Sequence, residues 1–156
     1  MNDTERCDEC GWSRAGGRPG CRERFDTLLA RDYSDALFFR VHRMFVDTYC
    51  LQHPEEYCAS AKSLAAHLAG LCWILEGGAG PAQGPSRLRD WLDGAKRMDK
   101  PPLPHWRGSL TIGDLPVDGD PGSWEAAVRA WAESTWAAYA DLQPLARKWV
   151  AEAAES

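Results

Sequence analysis

The sequence predicts an all-α fold: a four-helix-bundle-like single domain with a metal-clasped N-terminal loop. Three observations carry this expectation. Apolar residues recur at helical spacing in four long segments, and no stretch alternates convincingly as a strand would. Three cysteines stand at the front, in Cys7-Asp8-Glu9-Cys10-Gly11 and Pro19-Gly20-Cys21, with the spacing of a thiolate knuckle. At 156 residues and 44% hydrophobic composition, the chain is long enough to bury a core without depending wholly on the metal.

Residues 1–20 are polar and Gly-rich and read as a Cys-rich metal-binding loop, with Trp12 its main apolar group. Residues 21–76 hold three helices. The first begins near Cys21 after the Pro19-Gly20 turn, buries Phe25, Leu28 and Leu29, and ends about Asp32. The second is capped by Ser34 or Asp35, carries Leu37, Phe38, Val41, Phe45 and Tyr49, and stops at His53-Pro54, because proline cannot continue the ladder. The third starts near Ser60, presents Leu64, His67, Leu68, Leu71 and Leu75, and ends at Gly77-Gly78. Residues 77–122 form a Gly/Pro-rich connector with a short helix around Ser86–Asp93, an extended Pro101-Pro102-Leu103-Pro104 and a capped turn at Thr111–Asp114. The final helix, 123–154, has a seam of Trp124, Val128, Trp131, Thr135, Ala138, Leu142, Leu145 and Trp149, with a kink near Pro144 or a restart capped by Asp141. Core packing is the expected role of the tryptophans on this seam, whereas Trp12, Trp91 and Trp106 are candidates to line a pocket.

The knuckle supplies Cys7 and Cys10, and Cys21 lies close enough to be a third ligand. If the first two helices are antiparallel neighbours, the start of the first lies beside the end of the second. His42 would then be roughly 16 Å from His53 at 1.5 Å per residue. His53 is therefore the expected fourth ligand of a Zn²⁺ site made by Cys7, Cys10, Cys21 and His53, with Cys50 and Cys58 as alternatives at the same end. Cys72 reads as a small buried apolar residue. His67 is expected level with Phe45 or Val46, near His42, so His42, Asp47, Tyr49 and His67 are the candidates for catalysis or a second metal. The competing expectation is that each histidine is hydrogen-bonded to a neighbour in the core.

Net charge of −5 and a pI near 5.3 argue against nucleic-acid and membrane partners, leaving an unknown protein or small molecule. No apolar run is long enough to cross a bilayer, and the acidic start of the chain is unlike a secretory signal. A cytoplasmic location is expected, where cysteines serve as metal ligands and buried thiols more often than as disulfides. The phosphate-binding glycine loop, the serine nucleophile elbow and the paired Glu-x-x-His motifs of di-iron bundles are all missing from the sequence.

Taken together, Cys7–Gly11, Pro19–Cys21, the run from His42 through Asp47, Tyr49 and Gln52 to His53-Pro54, and Ser63–Cys72 with His67 resemble a bacterial family, domain of unknown function 5946. Pro101–Pro104, Arg107-Gly108 and Val128–Trp131 extend the resemblance over nearly the whole chain. It implies that the three cysteines and His42, His53 and His67 form a recurring set, and it implies no particular activity. Two departures from the family pattern matter: Cys50 replaces a small apolar residue, and Asp141-Leu142-Gln143 stands where relatives carry a histidine pair.

Two functions from different classes follow. One is a small zinc protein whose clasp pins the loop to the bundle and whose role is binding or regulation. The other is a metalloenzyme with an open metal site at His42, His67 and possibly His53, acting on a small molecule. A thiol redox sensor at Cys7 and Cys10 is a third, without the thioredoxin-like context such pairs normally have.

Overall fold

The computed structural model describes residues 5–77, 84–94 and 97–156. Gly78, half of the expected stop signal after the third helix, lies outside them, as do the parts of the loop and connector at 1–4, 79–83 and 95–96. Among the described residues the fold is all-α, with no strand.

Helix α1 (Gly17–Asp32) starts ahead of the expected Cys21. Pro19 falls inside its first turn, where a missing N–H costs no helical hydrogen bond. Gly20 permits a close approach there, because a Cβ at this position would lie 1.7 Å from the Ala15 carbonyl oxygen. Cys21 is thus carried on a helix and is fully buried.

The expected second helix is broken into α2 (Ala36–Phe39) and α3 (His42–Gln52). Asp35 caps α2 by accepting from the Leu37 amide at 2.7 Å, and α2 buries none of its residues. Without burial to reward continuation, the helix gives way at Val41. Val41 turns into the core and His42 meets Asp32 at the end of α1.

Pro54 does more than end α3: it opens a short α4 (Pro54–Tyr57), leaving His53 at the corner between them with φ −128°. Helix α5 (Ala61–Glu76) begins with a capping box made by Ser60 and Ser63 and ends at Gly77. Helix α6 is Gly84–Asp93.

A short 3-10 turn at Ile112–Asp114, boxed by Thr111 and Asp114, leads to α7 (Pro121–Ala138), whose cap is Asp120. The last helix restarts after a 3-10 turn at Ala140–Leu142 as α8 (Gln143–Glu155). Pro144 takes the first turn of α8, again where it breaks no bond, and Asp141 sits in the 3-10 turn without capping it.

Helix α5 is the centre of the packing, touching α3, α8, α6 and α7, and α3 packs in turn on α7. Of the seam residues, Trp124, Val128, Trp131, Thr135, Leu142 and Trp149 are buried. The connector is held by specific bonds. Arg24 donates to the Leu115 carbonyl at 2.7 Å, and Arg31 donates to Pro116 and Gly119 at 3.0 and 2.6 Å.

Gln52 is the polar node of the core. Fully buried, it accepts from the Trp131 indole at 2.9 Å and donates to the carbonyls of Arg107 and Leu110 at 2.9 and 2.8 Å. Replacing it with leucine leaves the buried Trp131 indole and two half-buried carbonyls without partners. We expect Gln52→Leu to lower stability by on the order of 3 kcal/mol in urea denaturation.

Candidate metal centre

The knuckle forms as its spacing requires. The Gly11 amide donates to the Cys7 carbonyl at 2.9 Å, and the Cys7 amide donates to the Trp12 carbonyl at 3.0 Å. Gly11 sits at φ +82°, the left-handed region that side-chain-bearing residues avoid. The loop is fastened to the bundle at several points. Glu9 accepts from the Glu55 amide at the start of α4 at 2.9 Å, and Arg107 donates to the Glu9 carbonyl at 2.7 Å. Arg18 grips Asp8 with two bonds of 3.0 Å and Glu55 with one of 2.8 Å. Arg24 lies over the half-buried Trp12 ring.

These fastenings bring Cys7, Cys10, Cys21 and His53 together, their ligand atoms all within 4.8 Å of one another. His53 is oriented before any ion arrives. Its Nδ1–H donates to the Tyr49 carbonyl at 2.8 Å, so Nε2 is the nitrogen that faces the sulfurs. The ring also stacks on Tyr49 at 4.1 Å, and Tyr49 stacks on Phe25 of α1 at 3.9 Å.

Nε2 lies 3.2 Å from Cys21 Sγ and 3.6 Å from Cys7 Sγ, and Cys10 Sγ lies 3.8 Å from Cys21 Sγ. In a tetrahedral site with metal–sulfur bonds near 2.3 Å and metal–nitrogen bonds near 2.0 Å, the edges are about 3.8 Å for S···S and about 3.5 Å for S···N. These three separations come close to those edges, and a disulfide, with sulfurs about 2 Å apart, does not. The group can hold a metal ion.

Its electrostatics point the same way. Hydrogen bonds from the Cys10 and Cys21 thiols pull the Cys7 pKa far down, and those to Cys10 and Cys7 push Cys21 up. Burial opposes charge on His53, but the Cys10 and Cys7 sulfurs outweigh it and raise the imidazole to about 9. Three thiolates cannot share this buried space without a cation among them.

Cys50 and Cys58, the alternative fourth ligands, stay out of the cluster. Both are buried, the Cys58 thiol points to the Cys50 carbonyl at 3.5 Å, and burial pushes both thiols up. Cys72 is buried, and desolvation raises its thiol to about 11. Of the suggested pocket tryptophans, Trp91 is buried and Trp106 is exposed, far from forming one lining.

His42 and His67 occur as carboxylate pairs. His42 Nδ1 bonds Asp32, its ring stacked on Phe39 at 4.4 Å. His67 Nδ1 bonds Asp47 at 2.9 Å, and Arg43 reaches the same oxygen at 3.3 Å. Both carboxylates are fully buried. Among the described residues, neither histidine joins a group of three or more candidate metal ligands. Tyr49, buried between Phe25 and His53, has its hydroxyl pushed up by desolvation.

The sequence reading missed Glu9 as the residue that caps α4, and Asp32 as the partner of His42. Glu9 had a signal, since an acidic side chain inside a knuckle faces whatever the knuckle packs on. Asp32 had none, because its role depends on the helix break at Val41.

No curated protein and no solved structure matches the chain significantly. The sequence profile of a family of unknown function, DUF5946, matches residues 5–140. That span takes in all four clustered ligands, both carboxylate–histidine pairs and the connector, and the chain belongs to this family.

Proposed function

We propose that this is a small zinc protein in which Cys7, Cys10, Cys21 and His53 form a closed structural site, and that its role is binding or regulation. The carrying observation is the tetrahedral fit of three sulfurs and one pre-oriented imidazole, all supplied by the protein. Four protein ligands leave no open position for substrate, which is the mark of a structural zinc site. Sulfur-rich donor sets favour Zn²⁺ over the harder divalent ions. Its work is mechanical: it joins the loop, the second turn of α1 and the α3–α4 corner.

Protein purified without an affinity tag is expected to carry about one zinc per chain by elemental analysis. Protein lacking any bound metal sinks the reading. Cys21→Ser is expected to lose most of that zinc. Chelation is expected to lower the melting temperature by several degrees, since the metal's binding free energy is part of the folding free energy.

A second reading, a metalloenzyme site inside the bundle, has one observation of its own. Asp32 and Asp47 each hold a histidine Nδ1, the arrangement that orients a catalytic or metal-binding imidazole through its Nε2. His67→Ala separates the two. The clasp leaves zinc content unchanged, whereas the enzyme reading requires metal to be lost from an internal site.

A further inference from the structure

A cavity of about 470 Å³ opens between α3, α5, α6 and α7, at the other end of α3 from His53. That volume falls within the range of about 300–1,000 Å³ typical of small-molecule sites. Its walls combine apolar side chains, among them Val41, Met44, Trp73 and Leu88, with three arginines, Arg40, Arg43 and Arg129.

The arginines differ in their commitments. Arg43 is spoken for by Asp47 at 3.3 Å and by the Ala66 carbonyl at 3.4 Å. Gly70 makes room for that pair on the cavity wall. A Cβ there would stand 2.7 Å from Asp47 Oδ2 and 3.0 Å from Arg43 Nη2. Arg40 and Arg129 are exposed and have no hydrogen-bond or ion-pair partner among the described residues. The opposing charge in the lining is the carboxylate of Glu125. With Arg43 neutralised by Asp47, the two remaining arginines outnumber it, so the cavity keeps a net positive charge in a protein whose formal net charge is −5.

We propose that this cavity binds a small organic anion, a carboxylate on an apolar body, with Arg40 and Arg129 holding the carboxylate and the apolar walls holding the body. Guanidinium groups bind carboxylates in two-pronged fashion, and they do so more strongly beside an apolar wall that excludes water. A neutral molecule would gain nothing from the charge of either arginine, and a cation would be repelled by them. The site is separate from the metal cluster, so it goes beyond the zinc reading, and each can fail without the other.

The test is calorimetric titration of the purified protein with octanoate, with 1-octanol as the uncharged counterpart and methyl-labelled methionine NMR to locate the ligand. Octanoate is expected to bind once per chain, at least tenfold more tightly than octanol, and to shift the Met44 methyl signal while leaving that of Met98 in place. The doubly substituted Arg40→Gln, Arg129→Gln protein is expected to weaken octanoate at least tenfold. Because both side chains are exposed, its zinc content and melting temperature should match the parent's. Absence of octanoate binding overturns the proposal. So does equal affinity for octanol, an undisturbed Met44 signal, or full affinity in the double variant.

Discussion

The corner at His53 is the constraint on which the metal end of this protein depends. Pro54 forbids α3 from continuing, and the chain turns there into α4. That turn leaves the Tyr49 carbonyl free for the His53 Nδ1–H, and this one hydrogen bond decides which nitrogen faces the sulfurs. The Tyr49 ring, clamped on its other face by Phe25, prevents the imidazole from rotating away. A metal site with one ligand fixed in advance loses little side-chain entropy on binding. Helix α1, α3, α4 and the loop are joined through that residue.

Much of this was legible in the sequence because the signals were covalent or local. Cys-x-x-Cys-Gly fixes two ligands by chain geometry, and His53-Pro54 places an imidazole at a helix end whatever the tertiary fold does. The Ser60 cap and the aromatic seam of α7 were readable for the same reason. The break at Val41 was not, since it arises from a balance between continued helix and the burial of Val41, with Asp32 waiting on another helix. The cavity was equally hidden. Arg40, Arg43 and Arg129 look like ordinary surface charges until α3 and α7 are packed together, and Trp73 showed no pattern to mark it off from the other core residues of α5.

Buried carboxylates do for the helix bundle what the cluster does for its end. Asp32 joins α1 to His42 of α3, Asp47 joins α3 to His67 of α5, and Glu9 joins the loop to α4. Desolvation raises the pKa of both Asp32 and Glu9, so holding either as an anion has a real free-energy cost. Asp32 Oδ1, Asp47 Oδ2 and Glu9 Oε2 also lack a hydrogen-bond partner among the described residues. An apolar side chain in each place would avoid that cost. What it could not supply is direction: a carboxylate satisfied by one imidazole or one amide admits a single register between two helices, whereas leucine against leucine admits several. Stability is given up here for a defined arrangement of the histidines.

Helix α3 is where these devices meet. One end carries His53 and the metal cluster, and the other carries Arg43 and Met44 on the cavity wall, with Val41 and Arg40 just before it. Eleven residues of helix separate the two ends by about 16 Å. Along that length, Phe45 and Tyr49 stack with Phe25, and Phe45 also meets Trp124 and Trp131 of α7. A helix anchored so completely along its middle cannot slide to open one end without disturbing the other. Apart from the cysteine cluster, the chemistry that the described residues offer lies at the Nε2 atoms of His42 and His67 and at the arginine-lined cavity. A metal ion in the cluster, at the other end of α3, would help hold that helix in the position that presents them.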